Sequence, residues 1–334
     1  MVVDFNPKVS VGIPVYNGAT FLAETIDSLL EQTYQDFELI VSDNASTDST
    51  ESICRSYMAR DSRVRYERQA RNKGAPWNYN RVFELARGSY FKWAAHDDLC
   101  STTFLARCVE VLDANPEIVW CHSRVGVIDK NGDKLDTFGE LSGAAELLIV
   151  EEGQRPKLAD SQTMRSAHHR FRSVLLGNTG CFDIYGLIRS EVLREMSLWK
   201  PCFGWEKVLL SGLSLRGKCA EIPEELFYFR IHEEACSAKK TLAEESAWSA
   251  PGETKSKLNG LVRFQLLKGH VQNVFDAPIG FWSRANCLVS FGTYLLQFRK
   301  WRSVLPQILG NKGIGGSTRE TLRKQEELQS TDVV

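Results

Sequence analysis

The sequence predicts an α/β protein: a mostly parallel, doubly wound (Rossmann-like) sheet flanked by helices, with a helical C-terminal extension. Three observations predict it. Short apolar runs alternate with amphipathic stretches through about residue 120, the alternation that βαβ units require. Several apolar runs end abruptly in polar residues, as strands do at the rim of such a sheet. From about residue 258 the strand-like runs stop and helical patterning takes over.

The elements follow in order. "KVSVGIPVYN" reads as a buried strand running into a turn. "ATFLAETIDSLLEQ" then places Phe21, Leu22, Ile26, Leu29 and Leu30 on one helical face. "FELIVSD" is a second strand ending at Asp43, and Asp48 with Glu51 fits a capping box for the helix around Ile53 and Tyr57. "RVRYERQ" is a third strand. "APWNYNRVFELARG" is a helix with Pro76 in its first turn and Gly88 past its end. "YFKWAA" is a fourth strand, leading into "AAHDDL". Next come a helix stopped by Pro116, the strand "EIVWCHSRVGVID" and a tight turn at Asn131-Gly132. From about Gly139 to Arg172 the chain turns polar and irregular, as a mobile loop or lid would, with His168 and His169 inside it. "DIYGLIRSEVLREM", "GWEKVLLSGLSLRGK" and "AEIPEELFYFRIH" follow, then a hydrophilic break at 238–257.

Composition narrows the function. The chain has 334 residues, 43% of them hydrophobic, and a net charge of −1, so no global pull toward nucleic acid is expected. Nine scattered cysteines without a C-x-x-C pair suit neither a disulfide framework nor structural zinc. The N-terminus lacks a signal peptide's pattern, and no apolar run reaches the roughly 20 residues that span a bilayer. A cytoplasmic setting is expected.

Ligands of doubly wound sheets sit outside the carboxyl ends of the strands. That rule gathers Tyr16 and Asn17, Asp43 and Asn44, and Asp97 and Asp98 on one rim. The adjacent acids of "HDD" repel each other and need a cation or hydrogen bonds to offset them. Taken alone, a solvated turn also explains them. Oxygen-rich sites of this kind suit Mg²⁺ or Mn²⁺ beside a diphosphate. No G-x-x-x-x-G-K-[ST] loop and no G-x-G-x-x-G follows the first strand, which argues against a P-loop NTPase or a dinucleotide dehydrogenase.

"VSVGIPVYNGATFLAETIDSLLEQTYQDFELIVSDNASTDST", followed by "NKGAPWNYNRVFELARGSYFKWAAHDDL", resembles the family-2 glycosyltransferases of the GT-A fold, strongly over residues 8–130 and loosely over 175–237. The resemblance implies a catalytic domain at 1–237, with a nucleotide-binding half (1–130) and an acceptor half (131–237). A linker (238–257) and a helical extension (258–334) would follow. It implies an inverting, metal-dependent transfer from a nucleoside diphosphate sugar, UDP-linked in most relatives, to a glycan or lipid-linked acceptor in surface polysaccharide synthesis. Pro14, Tyr16 and Asn17 would shape the nucleotide pocket, Asp43 would meet the base, and Asn72 and Gly74 would approach the nucleotide. The family's D-x-D-D becomes Ala95-His96-Asp97-Asp98. Asp97 then corresponds to the ligand of Mn²⁺ or Mg²⁺, with Asp98 and His96 in support, and Ala95 removes the first acid. His232 would be a second ligand. Glu206, counted back from Gly217, would be the catalytic base, with Trp205 where an acid often stands. A nucleotidyltransferase on a related sheet and a non-catalytic sugar-nucleotide binder remain alternatives. In the tail, Phe281, Trp282, Tyr294, Phe298 and Trp301 accompany basic residues, which suits peripheral contact with an anionic membrane, packing on the catalytic domain, or a homodimer.

Overall fold

The computed structural model describes residues 6–135, 166–177, 181–233, 235, 248–249 and 262–297. The chain divides into two compact units, Met1–Tyr294 and Leu295–Val334. The expected linker lies outside the described residues except for 248–249, and so does most of the polar stretch after residue 135.

Strands β1 (Val9–Val15), β2 (Phe37–Asp43), β3 (Val64–Arg68) and β4 (Tyr90–Trp93) form the parallel half of an eight-stranded sheet. With β5 (Leu99–Cys100), β6 (Ile118–Ile128), β7 (Leu187–Arg189) and β8 (Lys218–Arg230), the order is β3-β2-β1-β4-β7-β6-β8-β5. β7 runs antiparallel to both neighbours, β6 and β8 are parallel, and β5 is an antiparallel edge on β8. β1 and β2 are buried along their whole length, so they read as continuous apolar runs and not as alternations.

One face of the sheet is covered by α1 (Leu22–Leu30), α2 (Thr50–Arg60) and α4 (Phe104–Ala114), through Ile26, Leu29, Cys54, Leu105 and Leu112. The other is covered by α3 (Ala75–Glu84), α5 (Ala167–Leu176) and α7 (Trp205–Arg216), through Val82, Val174, Leu209 and Leu213. α3 lies against β1 because Gly12 has no side chain; a Cβ there would stand 2.7 Å from Val82 Cβ. The short α6 (Ser190–Arg194) follows β7.

Three local readings change. The expected capping box is replaced by Ser49 at the N-cap of α2, with Glu51 paired to Arg55 and Arg68. Asp48 still accepts the Thr50 N–H at 3.1 Å, while its other oxygen takes the Ala19 N–H at 3.0 Å and ties the helix start to the β1–α1 turn. His168 and His169 lie on α5, not in an irregular loop, because Phe171, Val174 and Leu175 give this polar-looking stretch a buried face. β5 was not foreseen, since two residues carry no periodicity.

Beyond the sheet, α8 (Val262–Asp276) packs on α7: Asn273 Nδ2 donates to Val208 O at 2.7 Å, and His270 Nδ1 lies 2.8 Å from Ser211 Oγ. Gly269 allows the close approach, because a Cβ there would meet Trp205 at 2.7 Å. α9 (Phe281–Leu295) sets Phe291 against Phe171 of α5, ring centroids 5.7 Å apart.

Candidate active site

The register Val15↔Asp43 ends β1 and β2 level, so their following loops lie side by side. Asn17 adopts a left-handed conformation (φ 53°), donates its N–H to Ser46 Oγ at 2.9 Å and accepts the Thr47 N–H at 2.8 Å. Asn44 is buried and knits the second loop to the third. Its amide donates to Asn72 Oδ1 (2.9 Å) and Gly74 O (3.1 Å), and its carbonyl accepts the Lys73 N–H at 3.0 Å. Gly74 sits at φ 88°, which a side chain would strain, and so lets the 72–74 turn close over Asn44. Pro14 lies buried in β1 opposite Ser42, whereas Tyr16 is 44% exposed. Asn44 thus ties the second loop to Asn72–Gly74, and Asn17 ties the first loop to the second.

Asp43 is held from within the protein. It is fully buried; Oδ1 accepts the Ser46 N–H at 2.7 Å and Oδ2 the Tyr66 hydroxyl at 2.8 Å, with Arg68 Nε at 3.5 Å. Here its carboxylate anchors the loop on which Asn17 rests. Burial and the Asp43 carboxylate push the Tyr66 phenol well above its ordinary value.

The acids of "HDD" divide their roles. Asp98 is buried, and its Oδ1 accepts the backbone N–H of Arg230 at 2.9 Å. Burial first, and then the neighbouring Asp97 charge, push Asp98 well above the usual carboxylate range. Asp97 Oδ2 lies 2.9 Å from His232 Nε2. Burial pushes Asp97 up as well, but His96 and His232 outweigh it and hold the carboxyl below its ordinary value. His96 also packs over Gly18, where a Cβ would meet its ring at 2.7 Å.

Arg230 organises this corner from inside the protein, with its side chain fully buried. Its Nε donates to Asp97 O at 2.8 Å, Nη1 to Lys130 O at 3.1 Å and Nη2 to Glu24 at 2.6 Å, while the guanidinium lies 4.8 Å from the Phe21 ring. The His232 ring lies tilted against the same Phe21, ring centroids 4.6 Å apart. The β5–β8 pairing creates the arrangement by laying the chain just after Asp98 alongside the end of β8.

The donor set fits a hard divalent cation. Asp97 Oδ2 and His232 Nε2 are a carboxylate oxygen and an imidazole nitrogen held side by side, and both would serve a Mg²⁺ or Mn²⁺ in the tautomer that leaves His232 Nε2 unprotonated. Among the described residues no group of three potential ligands occurs, so the protein would supply two donors and leave the remaining positions to phosphate and water.

Glu206 stands in the first turn of α7, behind Gly204 at φ 81°. Its neighbour Trp205 turns inward, with Nε1 donating to Leu198 O at 2.9 Å. Burial raises the Glu206 carboxyl to about 7, opposed only by its own backbone N–H. Half-buried Tyr185 has its hydroxyl 3.4 Å from the Tyr79 hydroxyl, and burial with the nearby Tyr79, Asp98 and Glu206 pushes its phenol well above the ordinary value. Lys92, fully buried on β4, donates to Tyr185 O beside the rings of Phe104 and Phe227. Sequence reasoning passed over Arg230, Lys92 and Tyr185. The first two left a signal: a cation inside an apolar strand run ("YFKWAA", "LFYFRIH") must find buried partners.

Comparison with known proteins now bears on this geometry. The glycosyl transferase family 2 profile matches residues 10–195, more than half of the chain. An uncharacterised glycosyltransferase of Rickettsia typhi is 38% identical over 120 residues, 35% of this chain and 36% of that protein. The chain thus matches only about a third of that relative's length. In structure, S. aureus TarS (1–349) in complex with UDP superposes with a TM-score of 0.52 at 16% identity, covering 83% of this chain and 68% of that one. A mannosyltransferase from Pyrobaculum calidifontis in complex with GDP-Man and Mn²⁺ gives 0.52 at 16% identity, covering 97% and 81%. At such identities the two structures establish the GT-A fold.

Proposed function

Because the chain belongs to glycosyl transferase family 2, and is a glycosyltransferase, we propose that it transfers a sugar from a UDP-sugar to a hydroxyl of a glycan or lipid-linked acceptor, with inversion, in surface polysaccharide synthesis. The observation that carries the reading is the contrast between two carboxylates: Asp97, 2.9 Å from His232 and held ionised, and Glu206, half-buried in the first turn of α7 and poised near neutrality.

In this reading Tyr16, Asn17, Asn72 and Gly74 hold the nucleoside, with Asp43 and Asn44 keeping their loops in register. Asp97 and His232 would hold Mn²⁺ or Mg²⁺, which when bound would supply positive charge to a leaving diphosphate. Asp98 and His96 support Asp97 from behind. Glu206 accepts the proton of the acceptor O–H while that oxygen bonds to the anomeric carbon and the carbon–diphosphate bond breaks. A base with a pKa near 7 is well matched to that task, being about half ionised at neutral pH and still basic. Ala95 offers no carboxylate, so the donor is held without that contact. The TarS complex with UDP and the mannosyltransferase complex with GDP-Man and Mn²⁺ support a nucleoside diphosphate donor as a class.

The test is thermal stabilisation by UDP, GDP, CMP and dTDP, with and without Mn²⁺, in the wild type and in Asp97→Ala. A ligand that binds only the folded state raises the melting temperature. A Mn²⁺-dependent shift with UDP, lost in Asp97→Ala, is the expected result; a shift with GDP instead corrects the donor, and no shift with any nucleotide overturns the reading.

A further inference from the structure

Most of the large apolar side chains exposed among the described residues lie on the last two helices. On α9 they form a stripe. Phe281 and Trp282 are 74% and 78% exposed and Val289 is 70% exposed, with Leu288 beside it one to two turns along. Ala285 and Gly292 continue the same face at helical spacing. The opposite face, Cys287, Ser290, Phe291 and Tyr294, is buried against the protein. Tyr294, an aromatic residue that the sequence groups with Trp282, thus turns inward toward His270. The exposed stripe carries no charge. Arg284, the only charged residue of α9, donates to the carbonyls of Val274 and Ala277, both at 3.2 Å.

We propose that this face of α9 docks on an anionic lipid bilayer. Charge argues for that occupant over a second copy of the chain. Among the described residues, 262–297 hold three Lys or Arg, Arg263, Lys268 and Arg284, against the single acid Asp276, although the whole chain carries a net charge of −1. An uncharged aromatic stripe on a helix pair of net positive charge has the complementarity that an anionic headgroup region offers, and a self-contact would bring like charges together. None of the helices among the described residues is long and apolar enough to cross a membrane, so the contact is peripheral. Through α8, which packs on α7, the face is joined to the helix that carries Glu206. A lipid-borne acceptor would then be presented to the base by the surface it is anchored in. That last step rests on the function proposed above, whereas the docking itself does not.

The experiment is flotation of the full chain with phosphatidylcholine vesicles, with and without phosphatidylglycerol. Flotation with the anionic vesicles alone, weakened by salt, is expected. A Trp282→Ser/Val289→Ser variant should lose about tenfold or more of that partition with its melting temperature unchanged, because both side chains are exposed. Asp97→Ala should float like the wild type even if it binds no nucleotide, which separates failure of this proposal from failure of the donor site. Equal flotation of variant and wild type, or none at all, overturns the proposal. A dimer in light scattering that the double variant dissolves also overturns it and assigns the face to a second copy.

Discussion

Asp97 and Glu206 are both acids withdrawn from bulk water, and the protein drives them in opposite directions. Asp97 is bonded to His232, lies near His96, and its backbone carbonyl is held by Arg230; its carboxyl titrates below the ordinary range. Glu206 has only its own backbone N–H to oppose burial, and its carboxyl rises to about 7. Burial with cationic partners makes a permanent anion suited to holding a cation. Burial without them makes a group that exchanges a proton near neutrality. Partners, more than depth, separate the two roles.

The sharpest way to break this comparison is to remove the proton acceptor while keeping its shape. Glu206→Gln should lower kcat by roughly 10²–10⁴-fold with nucleotide stabilisation intact; undiminished turnover in a steady-state assay would remove Glu206 from the chemistry. Asp97→Ala should cost on the order of 10²–10³-fold in turnover and, unlike Glu206→Gln, should also abolish the Mn²⁺-dependent part of nucleotide binding. Arg230→Met should destabilise the fold by about 3 kcal/mol in urea denaturation and weaken Mn²⁺ binding, because it strips the buried partners from the Asp97 turn.

Proton linkage gives a finer test. Folded Glu206 keeps its proton up to about pH 7, whereas the unfolded chain releases it near 4.5. Between those values the folded state binds more protons, so this group's contribution to stability falls as pH rises through the window and stays low above it. Glu206→Gln should therefore be more stable than the wild type at pH 8 by about 1–3 kcal/mol, with the difference closing at pH 4.5. The catalytic limb has the opposite sense: kcat/KM should rise with pH through about 7 as the base ionises. The smallest effect expected is Tyr66→Phe, which removes one bond to Asp43 and should cost about 1 kcal/mol, read as a lower melting temperature without loss of the metal-dependent shift.

Much of this was legible in the chain itself. The apolar runs of β1 and β2 and their polar ends at Tyr16-Asn17 and Asp43-Asn44 follow from burial on both faces and from the position of a parallel sheet's rim. Gly74 before Ala75-Pro76 announces a turn into a helix, and the structure places it there at positive φ. Other features carried no local signature. The mixed right half of the sheet depends on β7, three residues long, and on β5, two residues long. The partners that hold the Asp43 carboxylate, Ser46 and Tyr66, lie 3 and 23 residues away and are not announced by its place at a strand end.

By itself, then, the sequence determined the alternating elements, the acids at the strand ends and the family to which they belong, because periodicity and strand termination are local properties. Tertiary structure alone decided which acid is held by cations and which is left to burial. Asp97 meets His232 135 residues on, and Arg230 reaches back 206 residues to Glu24. A pKa is set by whatever surrounds the group in space, and apart from His96, next to Asp97 in the chain, those surroundings arrive only when the chain has folded.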